Sequence, residues 1–142
     1  MRTALGLLVL AFCSVVLAGP QDDPAKKDLE KMQGKWKIEA EVIEGQKTPA
    51  KLLAKTSITI KGDNLIWEPK EDNGTIKIKL DPSKKPPAID LIDGKNIALG
   101  IYQLEGDTLR VCWEDFKSNR PRPKAFEATE ENRYLILKRD KK

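Results

Sequence analysis

The residues with most chemistry to offer are Asp90, Tyr102 and a basic run of Lys117, Arg120, Arg122 and Lys124. An aspartate and a tyrosine within hydrogen-bond reach in a cleft would make a general acid–base pair. The arginines, interleaved with Pro121 and Pro123 and followed by Phe126, suit recognition. Prolines limit the entropy lost on binding, and a guanidinium can grip a carboxylate or phosphate with two parallel bonds. Trp67 and Trp113 share strand faces with Leu65 and with Leu109 and Val111. Core packing and lining of a pocket use the same residue types, so both remain ligand candidates.

Other chemistries are missing. The chain has no histidine, which removes serine–histidine and cysteine–histidine nucleophiles and histidine metal sites. Ser57, Ser83 and Ser118 lie in no Gly-x-Ser-x-Gly elbow. There is neither a phosphate-cradling glycine loop nor an EF-hand pattern. Asp63, Asp93 and Asp107 each adjoin a glycine, where aspartate serves turns more readily than metals. The expectation is a protein that is not an enzyme and uses no cofactor and no metal.

The amino-terminal segment reads as a signal peptide over residues 1–18: Arg2, an apolar run from Ala4 to Leu17, and small residues ending at Ala18. A run of this length is short for a membrane span, which needs about 20 residues. Export to the periplasm or the medium is expected, with residues 19–28 as a linker and one domain over 29–140. Loss of Cys13 with the signal leaves Cys112 as the single cysteine, so no internal disulfide is expected. Basic and acidic residues, 26 against 22, are interspersed and form no clustered stripe of the kind a nucleic-acid binder shows. No nucleic-acid partner and no later membrane span are expected, and the chain should be a monomer.

The elements that must position these residues are strands. Lys35 to Val42 and Thr75 to Leu80 alternate charged or polar with apolar residues, a period of two that gives each strand one dry and one wet face. Further strands are expected over 56–61, 64–68, 88–92, 96–104, 107–113 and 133–139, mostly joined by tight turns such as Gly62-Asp63 and Asp93-Gly94-Lys95. Asp28 to Gln33 should make one or two helical turns ended by Gly34. Eight consecutive antiparallel strands close into an up-and-down barrel or stack as a β-sandwich; closure removes exposed edges and is preferred. Asp90 falls on the wet face if Ile89 and Leu91 point inward. In the opposite register it is buried and needs a partner, for which Tyr102 or Arg110 is available. Cys112 should face outward, under the segment that follows.

Gly34-Lys35-Trp36 opens the first strand directly after the helical turn, and this placement resembles the start of lipocalin and fatty-acid-binding barrels. The resemblance implies that the Trp36 indole plugs the closed end and that a basic residue of the last strand, Arg139 or less favourably Lys138, lies across it. Over nearly the whole length after the signal, the chain also looks like a lipocalin-like domain of unknown function found in planctomycete bacteria behind signal peptides. The residues carrying that likeness are Leu29 to Trp36, Asp81 to Pro86 with Ile89-Asp90, Gly100-Ile101-Tyr102, Gly106 to Leu109 with Cys112, and Arg122-Pro123 with Phe126. It implies fold and export and leaves the activity open.

The leading functional expectation is a non-catalytic binding protein holding a small apolar or amphipathic ligand in the barrel. The alternative is a module without a cavity that recognises an extracytoplasmic protein or polymer through the 116–132 loop. A carboxylate–tyrosine enzyme built on Asp90 and Tyr102 ranks third.

Overall fold

A computed structural model describes residues 23–69, 74–116 and 119–141. The expected signal peptide lies outside them. Among the described residues the chain runs α1 (Pro24–Met32), β1 (Gly34–Ile43), β2 (Gln46–Lys47), α2 (Ala50–Leu53), β3 (Ser57–Lys61), β4 (Asn64–Glu68), β5 (Thr75–Asp81), β6 (Ala88–Asp93), β7 (Asn96–Glu105), β8 (Thr108–Glu114) and β9 (Asn132–Arg139). All neighbouring strands pair antiparallel, and β1 pairs with both β3 and β9, so eight strands close into an up-and-down barrel. β2 is a short extra strand on the far end of β1. The barrel expected from the alternation is thus present, and the sandwich is not. No described helix is long and apolar enough to cross a membrane.

The period of two sets the core. Trp36, Ile58, Ile60, Leu65, Ile78, Leu80, Ile89, Leu91, Tyr102, Leu109, Val111, Trp113, Leu135 and Leu137 point inward and are buried together. In β1 the alternation misleads beyond its midpoint. A bulge between Ile38 and Ala40 breaks the register with β9, and one inserted residue turns every later side chain to the opposite face. Glu41 and Ile43 then share a face with Leu135 and Arg133, while Ala40 and Val42 share one with Ile136 and Tyr134.

α1 starts at Pro24, inside the segment expected to be a linker. Asp23 caps it by accepting from the Ala25 amide at 3.0 Å, and proline suits the first helical position because its missing donor has no partner there anyway. Ala25, Leu29 and Met32 recur at helical spacing and pack against the barrel core. Gly34, at φ 116°, then turns the chain into β1 in a conformation that side-chain-bearing residues rarely adopt.

The helix ends on the barrel's plug. Trp36 is fully buried, and its indole N–H donates to Met32 O at 2.9 Å. The Arg139 guanidinium lies over the ring at 4.4 Å and donates to Gln33 O at 2.9 Å and Lys31 O at 2.5 Å. Two side chains therefore satisfy carbonyls that the end of α1 would otherwise leave without partners.

Candidate functional site

The barrel wall is unevenly zipped. Among the described residues β1 and β9 match at seven register positions, β8 and β9 also at seven, but β4 and β5 at three, Asn64↔Lys77, Leu65↔Ile76 and Ile66↔Thr75. One further backbone bond at each end, Trp67 N–H to Gly74 O and Ile78 N–H to Asp63 O, finishes that seam. β4 begins at Asn64 after the Gly62-Asp63 turn, so it cannot follow β5 any further. From Lys79 to Asp81, β5 has β6 on one flank and α1 in place of a strand on the other.

A cleft of about 780 Å³ opens along this gap, lined by Asp23, Ala25, Lys26, Leu29, Ile78, Lys79, Leu80 and Asp81 among others. Its floor is apolar, because Ile78 and Leu80 show their edges where a neighbouring strand would cover them, and Ala25 and Leu29 face them from α1. Its rim is charged. Both rim carboxylates are already engaged: Asp23 caps α1, and Asp81 accepts from the Ser83 amide at 3.1 Å and hydroxyl at 2.5 Å. The Ser83 bonds hold the Asp81 carboxyl below the usual carboxylate range, with Lys84 and Arg122 adding to the effect. Lys26 and Lys79, both exposed, form no ion pair with any described residue. A second cleft, about 690 Å³, flanks the other side of α1, but its walls carry groups already partnered: Asp28 by Tyr102, and Arg139 by Asp107 and the helix carbonyls.

The residues singled out from the sequence scatter over the barrel. Trp36 is fully buried at the α1 end with the Arg139 guanidinium across its ring. Trp67 and Trp113 meet edge to face inside the opposite end, their rings 6.4 Å apart, with Arg133 over Trp113 at 5.7 Å. Trp113 is buried and Trp67 half-buried.

Asp90 and Tyr102 do not meet. Ile89 and Leu91 point inward, so Asp90 lies on the outer face, whereas Tyr102 points inward from β7. Neither Tyr102 nor Arg110 is the partner of Asp90. Arg122 is, its Nη2 standing 2.7 Å from Oδ1. Tyr102 instead donates its hydroxyl to Asp28 Oδ2 at 2.7 Å. Burial first, and then Asp28, push the phenol well above its ordinary pKa, so Tyr102 keeps its proton at neutral pH and its bond to Asp28 fastens α1 to the wall.

The loop residues turn inward upon the barrel. Arg122 Nη1 donates to Ile89 O at 3.1 Å and Gly100 O at 2.7 Å, Arg120 pairs with Glu131, and Phe126 packs on Tyr134 with ring centroids 6.4 Å apart. The strap so formed covers an outer row running Ala88↔Ile101↔Cys112, all three buried. Cys112 lies where the alternation placed it, with its thiol directed at Glu127 O. Among the described residues no group of acidic or cysteine side chains could hold a metal ion.

The residues of the cleft itself, Lys26, Leu29, Lys79 and Leu80, were read from the sequence as linker, helix and wall. The spacing Ala25, Leu29, Met32 was the available signal, since it carries the helix upstream into the supposed linker. That β4 stops short of covering β5 depends on two strand lengths jointly, which local periodicity does not report. Comparison with family models, with curated proteins and with solved structures found no match to this chain.

Proposed function

We propose that the protein is a non-catalytic binding protein that holds a small amphipathic molecule in the cleft between α1 and β5. In the same proposal it is exported, periplasmic or secreted, as the signal-like amino terminus and the likeness to the planctomycete lipocalin-like domain suggest. The observation that carries the reading is the short β4–β5 seam, three register positions among the described residues, because it leaves the edge of the apolar core to be covered by a helix instead of a strand. The cleft volume of about 780 Å³ falls within the range of roughly 300–1,000 Å³ usual for small-molecule pockets.

The ligand's place differs from the barrel interior expected at first. An eight-stranded barrel is just filled by its own side chains or just admits one small ligand. Here Trp36, Tyr102, Met32, Ile58, Ile89, Leu91, Leu109, Leu135 and Leu137 are each under 2% exposed, so the closed half is filled. The loop module draws less support, since Arg122 and Phe126 are engaged with the protein's own wall.

The test is titration with nile red, followed by fluorescence, in the wild type and in Ala25→Glu and Leu29→Glu variants shown to be folded by circular dichroism. Saturable binding should weaken by about tenfold in each variant, the effect of losing one apolar contact surface, and should be unchanged in Trp67→Phe. Binding unchanged in both cleft variants, with loss in Trp67→Phe, would move the ligand to the barrel mouth and refute the proposal.

A further inference from the structure

We infer that the cleft selects an amphiphile with an anionic head, and that Arg122, which does not line the cleft, sets this preference by keeping Asp90 away from Lys79. The inference rests on the cleft being the binding site. Lys79 lines the cleft, and its register partner across β5 and β6 is Asp90. Directly opposed residues on one face of an antiparallel pair stand about 4.5–5.5 Å apart at their β-carbons, and opposite charges there ordinarily pair. In this chain they do not.

Asp90 Oδ1 is held at 2.7 Å by Arg122 Nη2, while Nη1 of the same guanidinium is anchored on the carbonyls of Ile89 and Gly100. A planar guanidinium already anchored on two carbonyls loses little further freedom in gripping a carboxylate, whereas a lysine must immobilise a flexible four-carbon stem. Arg122 therefore takes the acid, and the Lys79 ammonium is left at the cleft rim without an ion-pair partner among the described residues.

Lys26 adds to the same field. It lies in the first turn of α1, where unsatisfied amides already make the helix end positive and a lysine is locally unfavourable. No described carboxylate pairs with it. Asp23 and Asp81 oppose the field: each turns Oδ1 to neutral donors, the Ala25 amide and Ser83, and keeps its charge, which at Asp81 is offset by Lys84 and Arg122. An apolar floor between two ammonium groups that have no ion-pair partner among the described residues matches a single alkyl chain with one negative head, such as a monomeric alkyl carboxylate. Lys26 and Lys79 would contact the head, and Arg122 acts as a positioning residue.

Calorimetric titration of the full chain with decanoate and with decanol, both below their aggregation limits, tests this. Decanoate should bind about three- to fivefold more tightly than decanol, the effect of an exposed or half-exposed charge pair. Lys79→Gln should remove that preference. Arg122→Gln should weaken decanoate about threefold and leave decanol unchanged, because Asp90 is then free to pair with Lys79. Asp90→Asn/Arg122→Gln should restore decanoate, which a merely structural Arg122 would not allow.

Equal binding of decanoate and decanol by the wild type would overturn the anion preference and leave the cleft reading standing. Equal loss of both ligands in Arg122→Gln, without recovery in the double variant, would overturn the role of Arg122. Binding of neither ligand would overturn the cleft reading itself and this inference with it. Co-sedimentation with phosphatidylglycerol vesicles in the absence of decanoate binding would assign the anion to a bilayer surface and equally overturn it.

Discussion

The two sides of this barrel are built for different ends. Around β9 the wall is zipped to both neighbours over seven register positions, the plug of Trp36 and Arg139 closes the end, and the loop strap seals the outer face over Cys112. Around β5 the wall is joined to β4 at three positions, and a nine-residue helix replaces the missing backbone partner. A helix covers apolar side chains but cannot pair with a strand edge, so it leaves a cleft where a strand would leave none. On the proposed function, the tightly joined side supplies stability and the loosely joined side supplies access.

The largest effect expected from disturbing this contrast is at the plug. Trp36→Ala removes a fully buried indole together with its bond to Met32 O, and should cost about 3–5 kcal/mol in urea unfolding. A loss under about 1 kcal/mol would mean that the tight side is not where stability lies.

Gly100→Ala probes the same side by crowding. A β-carbon there would lie 2.7 Å from Cys112 O and 2.8 Å from Trp113 Cβ, closer than neighbouring strands allow, so the variant should lose about 1–3 kcal/mol. Leu29→Ala on the loose side should cost about 1 kcal/mol or less, since that side chain is half-buried over open space. Equal costs for the two would erase the distinction. Hydrogen exchange sharpens it: the Leu80 amide, facing the gap, should exchange by local opening, while Leu135 and Leu137 should exchange only with global unfolding.

The smallest expected effect is a pH dependence. Burial raises the Cys112 thiol from its ordinary 9.0 to about 11. The unfolded chain releases this proton near pH 9 and the native state holds it until about pH 11, so the contribution is complete below pH 9 and is lost as pH rises through that window. Wild-type stability should fall more steeply from pH 9 to pH 11 than that of Cys112→Ala, and parallel curves would show that the strap does not exclude water from the thiol.

Much of the tight side was legible in the sequence. Strict alternation marked the strands, the resemblance carried by Gly34-Lys35-Trp36 implied the plug, and the position of Cys112 between Val111 and Trp113 marked it as outward. What local pattern could not report is pairing between distant segments. Arg122 meets Asp90 across 32 residues, and Asp28 meets Tyr102 across 74; no local pattern points to either partner, so an Asp90–Tyr102 pair stands among the sequence alternatives. The bulge after Ile38 leaves the alternation of β1 intact to the eye while reversing its second half, because a bulge is a property of the strand pair and not of one strand. The cleft was hidden for the same reason.

The most direct test of the account is an amide-resolved NMR titration of the wild-type chain with decanol. The shifts should concentrate on Ala25, Leu29 and residues 78–81, on the two sides of the gap, with Trp36 and β9 undisturbed. Shifts confined to Ile43, Trp67, Trp113, Phe116 and Arg133 at the barrel mouth would contradict it.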